Sequence, residues 1–247
     1  MYRGARVLAL IPARAGSKGL PRKNVIEVAG LPLIAWSILA AKDSRFVDRV
    51  LVSTDGTEIA DVARAFGADV PFMRPADLAT DVASTQEVVV HCLDELEKQG
   101  SQYDLLVLLQ PTSPLRTAED VDSALRLLNS AGAGAVVSVC RTAHMSVLAN
   151  TLPADGDMRD FLRPEMMKVP RQALEDHYRI NGALYVARWE RLRAGGWFFG
   201  AGSFAYVMPP ERSVDIDEEF DLQVAECLLT RRVAGADGGP AEAPTGR

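Results

Sequence analysis

Short, unbroken apolar runs, each passing through a turn into a segment of helical period, recur along the first three-fifths of this 247-residue chain. Residues 6–12 (RVLALIP), 49–53 (RVLVS), 105–109 (LLVLL) and 135–139 (AVVSV) lack the apolar/polar alternation of a sheet with one wet face. They read as strands covered on both sides, the pattern of a parallel sheet. Between them, residues 32–42, 58–66 and 117–128 carry apolar side chains at helical spacing. Ser84 followed by Glu87 is a capping box that opens a further helix through Val88, Val89, Cys92, Leu93 and Leu96. Gly67 is a C-cap for the second helix, and residues 70–73 read as a short extra strand. Strands alternating with helices imply right-handed crossovers, and ligands then bind outside the carboxyl ends of the strands. The loops that follow the strands are therefore where chemistry is to be sought.

The rhythm breaks after residue 140. Residues 141–179 are polar and interrupted by proline, and read as an insertion into a core formed by residues 1–140 and 180–234. Residues 180–187 (INGALYVA) and 204–207 resume as strands, and 220–233 as a final helix with Asp217 a candidate N-cap. Residues 235–247, small and rich in Gly and Pro, read as a disordered tail. With 48% hydrophobic and 24% charged residues the composition is that of an ordinary globular protein. The densest apolar stretches fall far short of the roughly 18 residues of a membrane span, and residues 1–7 hold no run suited to a signal peptide. Three cysteines without CxxC spacing point to neither a disulfide framework nor a zinc site, so a reducing cytoplasm is expected. A net charge of -6 offers no basic face to nucleic acid.

Against that acidic average, the loop after the first strand holds Arg14, Lys18, Arg22 and Lys23 among Gly16, Gly19 and Pro21. Glycines that permit close backbone approach, together with cations, make a cradle for a polyphosphate; a solvated basic loop is the alternative. The loop lacks GxxxxGK[ST] and GxGxxG, which removes the main support for an ATPase or a dinucleotide-binding protein. Asp215 and Asp217 flank Ile216, and period two points both carboxylates to one side. Such a pair suits Mg²⁺, which takes few carboxylates and keeps substrate phosphates; otherwise Asp217 only caps the last helix. Gln110 closes the most apolar strand, where its amide either bonds a ligand or simply turns the chain. Phe198 and Phe199 follow Trp197 and are either core or an apolar wall. His91, His144 and His177 lack metal-ligand spacing, and no GxSxG elbow occurs.

The stretch Ile11-Pro12-Ala13-Arg14-Ala15-Gly16-Ser17-Lys18-Gly19-Leu20-Pro21-Arg22-Lys23-Asn24 resembles the nucleotide-binding signature of the CMP-sialic acid synthetase family. In the family's order there follow Val52-Ser53-Thr54-Asp55, Arg74-Pro75, Asp81-Val82-Ala83-Ser84-Thr85, Leu109-Gln110-Pro111-Thr112-Ser113-Pro114-Leu115-Arg116, Asn181-Gly182-Ala183 and Ser213-Val214-Asp215-Ile216-Asp217. The resemblance spans residues 7–226. It implies a Rossmann-like nucleotidyltransferase, an α/β protein of three α/β/α layers with a mostly parallel sheet and a small dimerisation insertion at 141–179. The implied reaction joins CTP to a free nine-carbon 2-keto acid sugar, giving a CMP-sugar and pyrophosphate, in a homodimer.

On the same resemblance Arg14, Gly16, Ser17, Lys18, Lys23, Asn24, Arg74 and Ser84 contact CTP, with Arg14 and Lys23 stabilising the leaving pyrophosphate. Asp215 and Asp217 hold Mg²⁺. Gln110, Asn181 and Tyr185 lie at the sugar, Phe198 and Phe199 against its N-acyl group, and Arg171 reaches its carboxylate or the phosphate, often across the dimer. N-acylneuraminate is the expected sugar, with legionaminic and pseudaminic acids as alternatives, because some members carry a lysine where residues 141–148 here have none. A catalytically silent nucleotide-sugar-binding module is the reading from another class.

Overall fold

In β1 (Val7–Pro12) every residue from Val7 to Ile11 is fully buried, and the pleat divides them between two cores. The computed structural model describes residues 2–16, 19–142, 149–162 and 175–237. Val7, Ala9 and Ile11 pack on one side with side chains from α1 (Leu33–Lys42), α2 (Thr57–Ala65) and α4 (Ala118–Ser130). Leu8 and Leu10 pack on the other with α3 (Thr85–Lys98) and α5 (Trp189–Arg193). β5 (Leu105–Leu108) is split in the same way, Leu105 and Val107 against Leu106 and Leu108. Both faces of the sheet are thus covered at β1 and β5, which is why these two strands carry no polar side chain. Each such Leu or Ile contributes about 1.5–3 kcal/mol on leaving water.

The six-stranded sheet runs β4 (Arg49–Ser53), β1, β5, β7 (Tyr178–Arg188), β6 (Ala135–Arg141), β8 (Ser203–Met208). β4, β1 and β5 are parallel, β8 is parallel to β6, and only β7 runs against its neighbours. Parallel pairing needs a crossover, usually helical. β6 instead returns into β7 through residues 142–177, with the Thr142 N–H donating to the His177 carbonyl at 2.8 Å where the two strands part.

Three local expectations are corrected. Residues 70–73 form no strand; a single bridge from Leu51 to Asp69 ends the pairing, and Pro71, without an N–H, does not extend it. A small hairpin not foreseen in the sequence joins β2 (Glu27–Val28) and β3 (Leu31–Pro32) through Ala29 and Gly30 at φ 50° and 82°. The last helix, α6 (Glu219–Asp237), runs past residue 235, where the tail was expected, because Ala-Gly-Ala at 234–236 does not stop a helix as proline would. Val28 and Leu33 form a third apolar cluster with Ile216, Ala225 and Leu229, which seats α6 and the segment before it against the front of the sheet. Among the described residues no helix is long and apolar enough to cross a membrane.

Candidate active site

An open cleft of about 420 Å³ lies at the carboxyl ends of β1 and β5, where a mostly parallel sheet places its ligands. The loop after β1 contributes Arg14, Gly16, Lys23 and Asn24, the chain after β4 contributes Arg74, Thr80 and Asp81, and the end of β5 contributes Gln110 and Thr112. Asp215 and Asp217 close the opposite wall. The cationic loop and the acidic pair, some 200 residues apart in the chain, therefore share one mouth.

The first loop is held by its own side chains. Asp55 accepts the Ala15 N–H at 2.8 Å, and the Asn24 amide donates to the Arg14 carbonyl at 2.8 Å. Arg14 donates to the Thr80 carbonyl at 2.9 Å and pairs with Asp81 at 2.7 Å. Lys23 Nζ donates to the Ile216 carbonyl at 2.8 Å and pairs with Asp217 at 3.2 Å. Gly19 makes this junction possible, since a Cβ there would lie 2.5 Å from the Asp217 carbonyl oxygen. Arg74 is buried and donates through Nε to Ser53 Oγ and through Nη2 to the Ser53 carbonyl. Burial lowers its pKa, and the Arg14 charge adds to that.

The acidic wall is equally anchored. The Ile216 N–H donates to the Thr112 carbonyl at 2.8 Å, with the Ile216 side chain fully buried between the two aspartates. Asp217 does not cap α6: the Asp221 carboxylate accepts the N–H groups of Asp217 and Glu218 at 3.0 and 2.9 Å, leaving the Asp217 carboxylate to Lys23. Burial, helped by the Asp217 charge, pushes the Asp215 carboxyl above its ordinary range, against the pull of Thr112, Lys23 and Ser113. A carboxylate pair at a cleft mouth, Asp215 half-buried and Asp217 exposed, gains from a cation, and two oxygens from Asp215 and Asp217 with phosphate and water suit Mg²⁺. Among the described residues no group of three or more His, Cys, Asp or Glu offers an all-protein metal cage.

Several expected contacts lie elsewhere. Asn181 is fully buried: its amide donates to Ser213 Oγ at 2.9 Å and its carbonyl accepts from Ser138 Oγ at 2.6 Å, so it holds strands together rather than facing the cleft. Phe198 is likewise core, its ring 4.6 Å from that of Trp197 and 5.4 Å from that of Tyr185, so it is no wall for a ligand. Tyr185 is half-buried on β7 and Phe199 is exposed beside it; neither lines the cleft. Ser84 completes the expected capping box with Glu87 at the start of α3. Ser17, Lys18 and Arg171 lie outside the described residues.

Two participants had no role assigned from the sequence. Asp81 opens the stretch Asp81-Val82-Ala83-Ser84-Thr85, and a carboxylate there was the available signal. Arg116 gave none: an arginine ending a polar turn reads as exposed, yet it is fully buried. It donates to the carbonyls of Ala183 and Gln110 and, at 2.6 Å, to Ser37 Oγ. Burial brings its pKa down to about 9.

The cytidylyltransferase family model matches residues 8–154. The chain is 36% identical to an N-acylneuraminate cytidylyltransferase of Escherichia coli O18:K1:H7 over 92% of its own length and 53% of that protein's. It is 34% identical to a CMP-N,N'-diacetyllegionaminic acid synthase of Legionella pneumophila, over 91% of this chain and 96% of that one. The chain thus spans about half the length of the Escherichia coli relative. In fold it is similar to a CMP:2-keto-3-deoxy-manno-octonic acid synthetase solved with CTP, at a TM-score of 0.67 and 18% identity, over 92% of this chain and 100% of that one. A cleft built from the first loop and the aspartate pair, and a family match over more than half of its length, make this chain a member of the CMP-sialic acid synthetase family of cytidylyltransferases.

Proposed function

We propose that the chain transfers CMP from CTP to the anomeric hydroxyl of a nonulosonic acid and releases pyrophosphate. N-acylneuraminate is the sugar we favour; legionaminic and pseudaminic acids are the alternatives, as relatives named for all three match the chain at 32–36% identity. The observation that carries the reading is the shared mouth of the cationic loop and the acidic pair, in a cleft that Gln110 also lines.

In this reaction the sugar hydroxyl attacks the α-phosphorus and pyrophosphate leaves in line, so the protein supplies position and charge rather than covalent chemistry. Arg14 and Lys23 face the phosphates, and their tethers to Asp81 and Asp217 keep both side chains extended across the cleft before CTP arrives. Asn24 and Arg74 complete the nucleotide side, with Ser17 and Lys18 assigned there by resemblance. Gln110 orients the sugar, and Arg171 is assigned to its carboxylate or the phosphate. Asp215 and Asp217 would hold Mg²⁺, which when bound neutralises phosphate charge and acidifies the attacking hydroxyl. The reading includes a cytoplasmic location, where CTP is available, and a homodimer. Ile180 and Val207, both half exposed, flank Val139 in register at the far edge of the sheet and offer an apolar face to a second copy.

Pyrophosphate release with each of four NTPs against sialic, legionaminic, pseudaminic and eight-carbon 3-deoxy-keto acids, with Mg²⁺, tests the proposal. Product only from CTP with a nine-carbon acid is the expected result, abolished in Asp217→Ala and in Arg14→Ala while circular dichroism is unchanged. Binding of CTP without turnover on any acid would replace the enzyme by a nucleotide-sugar-binding module.

A further inference from the structure

The ladder between β6 and β7 breaks in the middle: Val137 pairs with Tyr185 and Val139 with Ile180, so residues 181–184 all stand opposite Ser138. This excursion brings Gly182, at φ +73°, to the back of the cleft. A Cβ there would lie 2.6 Å from the Gln110 amide oxygen and 3.1 Å from an Asp215 carboxylate oxygen. The bulge therefore forms the wall against which both side chains rest.

A bulge frees backbone carbonyls, and buried ones need donors. Ser113 Oγ donates to the Asn181 carbonyl at 3.3 Å, while Ser138 Oγ, its proton given to the Asn181 side chain, accepts the Leu184 N–H at 2.9 Å. The Ala183 carbonyl is taken by Arg116 Nε. The same guanidinium donates through Nη2 to the Gln110 carbonyl and through Nη1 to Ser37 Oγ on α1. All three hydrogen-bond partners are neutral, and only through-space attraction from the Asp120 and Asp215 carboxylates offsets the burial of this cation, an expensive arrangement for a merely structural link.

We propose that Arg116 is a positioning residue of the sugar subsite: by clamping the Gln110 and Ala183 carbonyls to one rigid fork it sets the gap between the Gln110 amide and the Gly182–Asp215 wall. This rests on the assignment of Gln110 to the sugar made above. A lysine has the charge but not the fork, and cannot meet three acceptors in one plane.

Steady-state kinetics of the full chain test it. Arg116→Lys should raise KM for the sugar acid about ten-fold and leave KM for CTP within about three-fold. In a Gln110→Ala background the same substitution should cost less than about three-fold, because the group it positions is gone. Equal cost in both backgrounds, or a parallel rise in both KM values, overturns the proposal. Should Arg116→Lys not fold, Ser37→Ala removes one clamp partner and keeps the guanidinium; a sugar KM raised about three-fold supports the proposal and an unchanged one overturns it. If the wild type makes no product with any acid, the sugar reading fails on its own account. The clamp is then read from the Gln110 side-chain amide resonance, which shifts in Ser37→Ala if Arg116 positions it and stays in place if it does not.

Discussion

The Ser84 hydroxyl accepts the Glu87 N–H at 3.2 Å and donates to the Glu87 carboxylate at 2.8 Å, which in turn takes the Ser84 N–H at 2.7 Å. Those bonds hold the Glu87 carboxyl below its ordinary range. A hydroxyl so engaged, beyond the residues that line the cleft, serves the helix end. Ser84→Ala should then cost about 1 kcal/mol, lower Tm by about 2–4 °C, and leave KM for CTP within about two-fold. A ten-fold rise in that KM, measured beside the melting curve, would return Ser84 to the nucleotide. Residue spacing shows what a side chain is able to do; its neighbours decide which option is taken. Asp217 was open to two uses, helix cap or metal ligand, and its carboxylate turns to Lys23 while Asp221, inside the helix, takes the N–H groups of Asp217 and Glu218. Asn181 carried the right motif and is consumed by Ser138 and Ser213, partners distant in sequence.

Among elements, α4 does more than cover the sheet. Its capping residue Asp120 is almost fully buried, takes the Thr117 N–H and hydroxyl, and accepts Arg212 at 2.9 and 3.0 Å. Arg212 lies just before the segment that carries Asp215 and Asp217, so the cap ties the acidic wall to the helix. Burial pushes the Asp120 carboxyl up, but the bonds from Arg212 and Thr117 outweigh it and leave it below 3.8. A depressed carboxyl stabilises the fold above its unfolded pKa, and that contribution is lost as pH falls through the folded value. Asp120→Asn should therefore be about 2–3 kcal/mol less stable than wild type in urea at neutral pH, the gap narrowing below about pH 4. A gap as wide in acid as at pH 7 would show that charge has no part in it. The covered strands and capped helices were legible because period and capping are local. The direction of β7 was not, since it depends on where residues 142–177 deliver the chain.

Across the whole molecule, the sheet ends at β8 with Val207 about half exposed, and Ile180 on β7, in register with it across Val139, continues the same apolar face. An uncovered apolar face of this kind marks an interface. Sedimentation of the wild type should give a dimer, and Ile180→Asp with Val207→Asp a folded monomer; a wild type that sediments as a monomer at tens of micromolar ends the dimer proposal. The sequence by itself determined the layered α/β architecture, the cationic loop and the aspartate pair, because apolar period and charge clustering act over a few residues. Only the tertiary structure decided that loop and pair meet in one cleft, that Phe198 and Asn181 belong to the core, and that Arg116 is buried. Those outcomes depend on contacts between residues far apart in the chain, where burial and the demand that every buried polar group find a partner select among uses that local sequence leaves equal.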